Sequence, residues 1–235
     1  MIRRSLLALA VLALSAVSAQ AEEKKLFNGT DLTGWEGRPD LWSVKDGAIT
    51  GTTTAEKPIK QNTFLVWSGE VADFELTFQY RIVAGNSGIQ YRSTVKSNNA
   101  DTGPSVGGYQ ADFEAGKTYS GILYEEQGRG ILAGRGEKTK LTADPSDKNK
   151  MVKTSVGKTE KTTEELQAAI KNEDWNTYRI VAKGNTLQHF INGNMTCEVV
   201  DEHAERAAKS GKLALQLHAG PAMVVQMKDV VLKTE

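Results

Sequence analysis

The side chains of this sequence that could do chemistry occur at every second position of several short segments. Side chains at alternate positions of a β-strand point to the same face of the sheet. In residues 213–218 the three leucines mark the core face, so Gln216 and His218 belong to the opposite face. By the same alternation, the polar residues assigned to outer faces are Gln79, Arg81, Gln90, Arg92, Gln110, Asp112, Glu114, Gln216 and His218.

Together these groups suit a ligand that is rich in hydroxyls. Carboxamides, carboxylates and guanidinium groups can pair with several sugar hydroxyls at once, and tryptophan side chains can cover the apolar face of a sugar ring. Histidine adds a group that exchanges protons near neutral pH. The alternative is an ordinary solvated strand face, and the alternation by itself does not distinguish the two interpretations.

The scaffold that positions these groups is predicted to consist of strands and tight turns. Short apolar or alternating segments are separated by turn dipeptides such as Asp46-Gly47 and Asn192-Gly193. We therefore expect an all-β protein of two stacked antiparallel sheets, with a single domain at residues 22–235. The residues predicted to fill the core between the sheets are Phe74, Phe78, Ile89, Leu213, Leu215 and Leu217.

The segments between the predicted strands are assigned to helices and loops. A capping-box pattern at Thr162 predicts a helix, and residues 202–210 are assigned a second short helical turn. Residues 93–107 and 134–160 are polar and show little periodicity, so both are interpreted as loops, the second one long and partly irregular. His189 shares one side of its strand with two apolar residues and is expected to pack partly in the core.

Composition narrows the class of protein. Of the 235 residues, 29 are basic and 29 are acidic, so the formal net charge is zero and a surface for nucleic acids is not expected. The single cysteine, Cys197, cannot form an internal disulfide and is interpreted as a buried or half-buried filler. The sequence has no motif typical of serine hydrolase elbows, zinc proteases or phosphate-binding loops.

The N-terminus has the features of an export signal. Arg3 and Arg4 precede an apolar stretch over residues 6–17, and Ala19-Gln20-Ala21 matches a small-x-small cleavage site. The apolar stretch is shorter than the roughly 20 residues that a membrane-spanning helix needs. We therefore predict a signal peptide at residues 1–21, a periplasmic or secreted protein, and no membrane span after cleavage.

Five motifs, in order along the chain, resemble those of the 3-keto-disaccharide hydrolase family. They are LFNGTDLTGW at residues 26–35, GNSGIQYR at 85–92, GYQAD at 108–112, WNTYRI at 175–180 with Asn192-Gly193, and LQLHAG at 215–220. The resemblance extends over nearly the whole chain after the signal. Gln110 and Asp112 depart from the commoner family pattern, which has Glu and Gln at these positions, so the exact substrate stays open.

The resemblance implies a concanavalin A-like jelly-roll sandwich with one or two short helices, and an enzyme that cleaves 3-keto-glycosides. A ketone at carbon 3 of the sugar acidifies the hydrogen on carbon 2. Removal of that proton lets the group on carbon 1 leave by β-elimination, and addition of water completes a net hydrolysis. Such an enzyme needs a base, an acid for the leaving oxygen, and a group that stabilises the enolate oxygen.

The chemistry that the resemblance implies suggests catalytic and binding roles for residues in and near the matching motifs. Asp112 and His218 are predicted to transfer protons, Arg92 is predicted to stabilise the enolate oxygen, and Glu125 is the reserve catalytic candidate. A divalent metal ion held by Asp112, Glu114 or His218 could polarise the ketone in place of Arg92. The predicted substrate-binding residues are Gln90, Tyr91, Tyr109, Gln110, Glu114 and Gln216.

Two alternatives to an enzyme stay open. A non-catalytic carbohydrate-binding module can have the same fold, and an exported structural or adhesion protein is a third class. A carboxylate and a histidine that converge on one cleft would favour the enzyme, whereas a flat aromatic strip would favour the module. For an enzyme, the expected partners are a carbohydrate substrate and an enzyme that oxidises the sugar.

Overall fold

The computed structural model describes residues 22–234, and the predicted signal peptide at residues 1–21 lies outside the described residues. No helix within residues 22–234 is long and apolar enough to cross a membrane. The elements are β1 (Glu22–Lys25), β2 (Trp35–Glu36), β3 (Trp42–Lys45), β4 (Ala48–Thr53), β5 (Thr63–Trp67), β6 (Phe74–Val83), β7 (Asn86–Asn99), β8 (Gly103–Glu114), β9 (Leu123–Glu126), β10 (Gly130–Ala133), β11 (Glu137–Asp144), β12 (Asp147–Lys158), α1 (Thr163–Ala168), β13 (Asn176–Lys183), β14 (Thr186–Ile191), β15 (Asn194–Asp201), β16 (Lys212–Leu217) and β17 (Met223–Thr234).

The strands form two sheets that pack face to face as a jelly-roll sandwich. The larger sheet has ten strands in the order β12-β11-β15-β14-β13-β6-β17-β4-β3, with β1 paired to β17. The smaller sheet has seven strands in the order β10-β9-β8-β7-β16-β5-β2. Among the described strands, β11 and β15 form a parallel pair and the other pairs are antiparallel. The predicted fold class, a concanavalin A-like sandwich, is confirmed.

Alternation directs one face of each sheet into a shared core. Phe78 of β6 packs on Tyr178 of β13 with ring centroids 5.5 Å apart, and Tyr80 of β6 stacks on Phe113 of the smaller sheet at 4.3 Å. Aromatic pairs at such separations stabilise the core beyond the burial of their surfaces. The residues predicted to fill the core are all buried: Phe74, Phe78, Ile89, Leu213, Leu215 and Leu217.

Two segments predicted to be loops are β-hairpins. Residues 93–107 belong mainly to β7 and β8, and residues 134–160 belong mainly to β11 and β12. The outer half of β7 and nearly all of β12 are exposed, so these strands carry polar residues on both faces. Such strands show no period of two in hydrophobicity, which explains why the alternation did not reveal them. The lysines of β12 suit its place at the edge of the larger sheet, because charge opposes pairing with another chain.

The helix predicted at Thr162 is confirmed. The Thr162 hydroxyl accepts a hydrogen bond from the N–H of Glu165, and the Glu165 carboxylate accepts one from the N–H of Thr162, which completes the capping box. In residues 202–210, the N–H groups of Arg206 and Ala207 bond to the carbonyl of His203. This segment therefore forms the predicted short helical turn, and it does not extend into a second helix.

His189 and Cys197 are buried in the core, as predicted. Nδ1 of His189 lies 3.2 Å from the carbonyl oxygen of Ile122, which can only accept, so this nitrogen carries the hydrogen. Nε2 then accepts from the hydroxyl of Tyr91 at 2.9 Å. Burial lowers the pKa of His189 from 6.5 to about 3, so the ring stays neutral in the folded protein.

We expect His189 to make the fold sensitive to acid. In the unfolded chain the ring binds a proton below about pH 6.5, whereas in the folded protein it does so only below about pH 3. The unfolded state therefore binds more protons within this window, and the free energy of unfolding falls as the pH falls. Between pH 7 and pH 4 the loss through this residue is on the order of 3 kcal/mol.

Urea unfolding of the wild type and of His189→Gln at pH 7 and pH 4 measures this loss. Glutamine keeps a neutral donor and acceptor at the position, so the variant should lose less stability on acidification than the wild type. Equal losses in the two proteins would contradict the assignment, because carboxyl groups elsewhere contribute equally to both.

Candidate active site

The outer face of the smaller sheet carries a cleft of about 460 Å³. The cleft lies where outward-facing residues of β8, β9 and β16 meet. Its lining residues are Asn62, Asn86, Gln110, Asp112, Glu114, Tyr119, Ile122, Tyr124, Glu126, Ile131, Gln216 and His218. Five of them are residues that the alternation assigns to an outer face: Gln110, Asp112, Glu114, Gln216 and His218.

A chain of hydrogen-bonded side chains orients Asp112. Nε2 of Gln110 donates to Oδ1 of Asp112 at 2.7 Å, and Nε2 of Gln90 donates to Oε1 of Gln110 at 2.7 Å. The hydroxyl of Ser93 donates to Oε1 of Gln90 at 2.9 Å. Each amide is oriented by the one behind it, so the position of the Asp112 carboxyl group is determined by residues of β7.

A glycine makes room for this chain. Gly88 lies opposite Asp112 in the pairing of β7 with β8. A Cβ atom at Gly88 would lie 2.6 Å from Cγ of Gln110, closer than real Cβ contacts allow. Because position 88 has no side chain, Gln110 can lie across β7 toward Gln216, whose Oε1 is 3.5 Å from the Gln110 Nε2.

The outer part of the β7–β8 hairpin covers the neighbouring region of this sheet face. The chain turns at Arg92, which has a φ of 46°, and the register of the pair shifts between Tyr91 and Thr94. Beyond the shift the hairpin packs on β5, and its Val106 joins an apolar cluster on the outer face. Gln90 is fully buried there, so it orients Gln110 from behind the cleft and does not line it.

Glu126 is a cleft residue that the sequence analysis did not identify. In β9, Leu123 is buried in the core, so Tyr124 and Glu126 face outward. Oε1 of Glu126 accepts from Nδ2 of Asn62 at 3.1 Å, and Oε2 accepts from Nε2 of Gln216 at 3.4 Å. The Glu126 carboxylate thus connects β9 with the opposite wall of the cleft. Alternation along β9, counted from the apolar Leu123, would have assigned Glu126 to the outer face from the sequence alone.

The acidity of Asp112 is altered by its surroundings. Burial raises the pKa of Asp112 well above its ordinary value of 3.8. Hydrogen bonds from Gln110 and Asn86 oppose this rise in pKa, and the negative charge of Glu126 adds to it. Asp112 therefore keeps a proton at pH values where an ordinary carboxyl group has lost it. A protonated carboxyl group can supply that proton to a departing oxygen.

His218 lies directly after β16 and is half-buried. Its Nδ1 lies 2.5 Å from the carbonyl oxygen of Ala219. A carbonyl oxygen can only accept, so Nδ1 carries the hydrogen and the lone pair is on Nε2. This tautomer leaves Nε2 able to take up a proton. The N–H of Ala219 donates to Oδ1 of Asn62 at 3.0 Å, which fixes this segment against the start of β5.

Arg92 does not line the cleft, so the expectation that it reaches the substrate is wrong. Its positive φ interrupts the regular alternation of β7 and turns the side chain away from the outer face. The guanidinium donates to the carbonyl oxygens of Ala72 and Gly184 and to the carboxylate of Asp73, each at 2.7 Å. Arg92 thus ties together separate segments of the fold and holds no free donor toward the cleft.

Three other predicted site residues lie on the core side of their strands. Tyr91 is fully buried in the core. The hydroxyl of Tyr109 donates to the buried carboxylate of Asp201 at 2.6 Å. Glu125 pairs with the guanidinium of Arg129 at 2.5 Å. Each follows or precedes an outward-facing residue of its strand and therefore points to the opposite face, so the expectation that these three touch the substrate is wrong.

No three His, Cys, Asp or Glu side chains within residues 22–234 are grouped so that they could hold a metal ion. The suggested ligands Asp112, Glu114 and His218 all line the cleft without forming such a group. One oxygen of Glu114 is already bonded to the N–H groups of Thr118 and Tyr119. The described lining of the cleft also contains no lysine or arginine.

Comparison with protein families finds that the model of the 3-keto-alpha-glucoside-1,2-lyase-like domain matches residues 22–233. No curated protein sequence matches the chain. Two solved structures from Parabacteroides distasonis ATCC 8503, each named a "putative glycosyl hydrolase", are similar to it. They are 20% and 16% identical, with TM-scores of 0.54 and 0.56, over 90% and 91% of this chain and 93% and 100% of theirs.

A binding module has the same architecture. The carbohydrate-binding module CBM66 from Bacillus subtilis is 12% identical, with a TM-score of 0.51, over 86% of this chain and 96% of the module. At these identities the solved structures show the fold alone. Because both enzymes and binding modules use this fold, the chemistry of the cleft has to distinguish between them.

Proposed function

Because this chain belongs to the family of 3-keto-alpha-glucoside-1,2-lyase-like domains, which are carbohydrate-active and glycosyl hydrolase-like, we propose that it cleaves 3-keto-glycosides. The observation that carries this proposal is the lining of one cleft by a buried carboxyl group and an imidazole, Asp112 and His218. The raised pKa of Asp112 suits an acid, and the free Nε2 of His218 suits a base. Elimination from a 3-keto-glycoside requires one acid and one base.

In this mechanism His218 removes the proton from carbon 2. Nε2 takes the proton, and the electrons of the broken C–H bond move to the oxygen on carbon 3, which becomes an enolate. The imidazole becomes an imidazolium at the same moment. Its positive charge beside the enolate supplies the stabilisation that the sequence analysis assigned to Arg92.

Asp112 protonates the leaving group in the second step. The enolate electrons re-form the ketone, the carbon 1–carbon 2 double bond forms, and the bond from carbon 1 to the leaving oxygen breaks. The Asp112 proton passes to that oxygen, so the aglycone leaves as a neutral alcohol. Solvent then removes the proton from His218 and returns one to Asp112, and water adds to the double bond to give the free 3-keto sugar.

The other polar residues of the cleft suit the hydroxyls of the sugar. Asn62, Asn86 and Gln216 each offer a carboxamide with donor and acceptor atoms, and Glu126 offers a carboxylate that accepts. A sugar ring presents donors and acceptors on adjacent carbons. A set of carboxamides around a carboxylate can therefore bind a sugar in one orientation, with carbon 2 toward His218.

We expect the protein to release the aglycone from a 3-keto-glucoside and not from the same glucoside with a hydroxyl at carbon 3. Only the ketone makes the carbon 2 proton acidic enough to be removed. His218→Ala should lower the rate of release about 100-fold or more, with every leaving group, because proton removal comes first. Chromatography of the released alcohol measures the rate, and added imidazole should restore part of it in the variant.

Three outcomes would overturn the proposal. Cleavage of the unoxidised glucoside at the same or a higher rate would show an ordinary glycosidase. Full activity of His218→Ala would remove the proposed base. Tight binding of unoxidised sugars without cleavage of either substrate would identify a carbohydrate-binding module.

The proposed chemistry also requires a supplier of its substrate. A 3-keto-glycoside arises when a glycoside loses two hydrogens from carbon 3 and its hydroxyl, so an oxidoreductase of that specificity has to act first. The predicted export signal leads us to propose that both steps take place in the periplasm or outside the cell.

A further inference from the structure

One end of the cleft presents apolar side chains to solvent. Tyr119 is 44% exposed and Ile131 is 43% exposed, although both are large apolar residues. The other large hydrophobic residues that are exposed within residues 22–234 are four valines, and none of them lines the cleft. Exposed apolar side chains that meet within a cleft are typical of a ligand-binding surface.

The register of the strands places this surface next to the proposed acid. Ile131 of β10 lies opposite Tyr124 of β9, and Tyr124 lies opposite Gln110 of β8. These three side chains form one row that leads from β8 to the edge of the sheet. Asp112 is two residues from Gln110 on the same face of β8, so Tyr124 is its diagonal neighbour across the strand pair, roughly 7–8 Å away.

Tyr119 is held on this side by its own loop. Oε1 of Glu114 accepts from the N–H of Tyr119 at 2.6 Å. Arg135, which is largely buried, donates to the carbonyl oxygens of Ser120 and Lys117 at 2.8 Å each. The loop over residues 115–121 is thus fixed from the cleft side and from behind. Because the backbone that carries it is fixed, the Tyr119 side chain has less freedom to lose when a ligand packs on it.

The opposite side of the cleft is polar. Tyr124 lies on one side of Asp112. The other side, toward β5 and β16, carries Asn62, Gln216 and His218. A substrate with its sugar among these groups has carbon 2 near His218 and its leaving oxygen near Asp112. Whatever is attached to that oxygen then extends over Tyr124 toward Ile131.

We propose that these apolar residues, Tyr119, Tyr124 and Ile131, form the leaving-group subsite and that it takes an aromatic or other apolar aglycone. This inference rests on the proposed function, because that function assigns the leaving oxygen to Asp112. A second sugar as the leaving group would bring several hydroxyls to a surface whose polar atoms are two phenol oxygens. An aryl or benzyl group instead buries apolar surface there without loss of hydrogen bonds.

The test compares benzyl and methyl 3-keto-glucosides, which release alcohols of similar acidity and therefore have leaving groups of similar ability. We expect kcat/KM to be about 10-fold higher for the benzyl compound, since its phenyl ring is largely buried at the subsite. Ile131→Ser should lower the benzyl value several-fold more than the methyl value. Val156→Ser, at an exposed valine of β12 outside the cleft, is the matched control and should change neither value.

The outcomes separate this inference from the proposed function. Cleavage of both glucosides with equal kcat/KM, or faster cleavage of a 3-keto-disaccharide than of the benzyl compound, would overturn the apolar subsite and leave the proposed function intact. If no 3-keto-glycoside is cleaved, the proposed function fails. Calorimetric binding of the benzyl and methyl compounds then tests the subsite, and equal Kd values would overturn it.

Discussion

Asp112→Asn is expected to lower the cleavage of benzyl 3-keto-glucoside about 100-fold or more, because asparagine has no proton to give to the leaving oxygen. The same variant should keep most of its activity on 4-nitrophenyl 3-keto-glucoside. Nitrophenolate is stable as an anion and leaves without a proton. A residue that only supports the structure of the cleft would affect both substrates alike, so the difference between the two rates reports the role of Asp112 as an acid.

The same substitution should stabilise the protein at alkaline pH. Because folding raises the pKa of Asp112, the folded state binds this proton more tightly than the unfolded state does. The contribution to stability is complete below the ordinary carboxyl pKa of about 4 and is lost as the pH rises toward the folded value. Asparagine is neutral at every pH and can still accept from Gln110. Its melting temperature should therefore exceed that of the wild type at pH 8, with a smaller difference at pH 4.

A lower melting temperature of Asp112→Asn at pH 8, together with equal losses on both substrates, would mean that Asp112 is a structural residue. His218→Ala is the comparison within the cleft, since loss of the base should slow both substrates. The rates of the two variants on the two substrates therefore distinguish the proposed acid from the proposed base without a structure of the bound complex.

Alternation could be read from the sequence for Gln110, Asp112 and Gln216 because strongly apolar neighbours determine which face of each strand is buried. The same reasoning fails at Arg92. There a positive φ and a shift of register interrupt β7, and neither feature is visible in the order of residue types. Periodicity cannot assign the face of a side chain that lies at such an interruption.

Glu125 and Glu126 show a second limit of sequence reasoning. The two residues are adjacent and chemically identical, and only the buried Leu123 indicates which of them faces the cleft. Asn62 and Tyr119 were missed for another reason, since they lie outside the strands, where no period exists. The fold and several outward-facing polar residues of the cleft were thus predictable, while residues from loops and strand ends required the three-dimensional structure.

Arg129→Met is expected to reduce the free energy of unfolding by about 3–5 kcal/mol, the usual cost of removing one partner from a buried ion pair. The Arg129 side chain is 2% exposed and pairs with Asp201, which is 1% exposed, at 2.6 Å. It also pairs with Glu125 at 2.5 Å. The substitution leaves two carboxylates between the sheets without a cation, Glu125 from the smaller sheet and Asp201 from the larger one, so desolvation of their charges is no longer compensated.

Glu126→Gln is the matched control for this prediction, because Glu126 is next to Glu125 and faces the cleft. Its removal leaves no charge buried without a partner, so urea unfolding should show a change below about 1 kcal/mol. Glu125→Gln should fall between the two, since Arg129 keeps Asp201 as its partner. A loss below about 1 kcal/mol in Arg129→Met would show that water or a shifted side chain compensates the two carboxylates. Such a result would also reopen the place of Glu125 on the core side of the sheet.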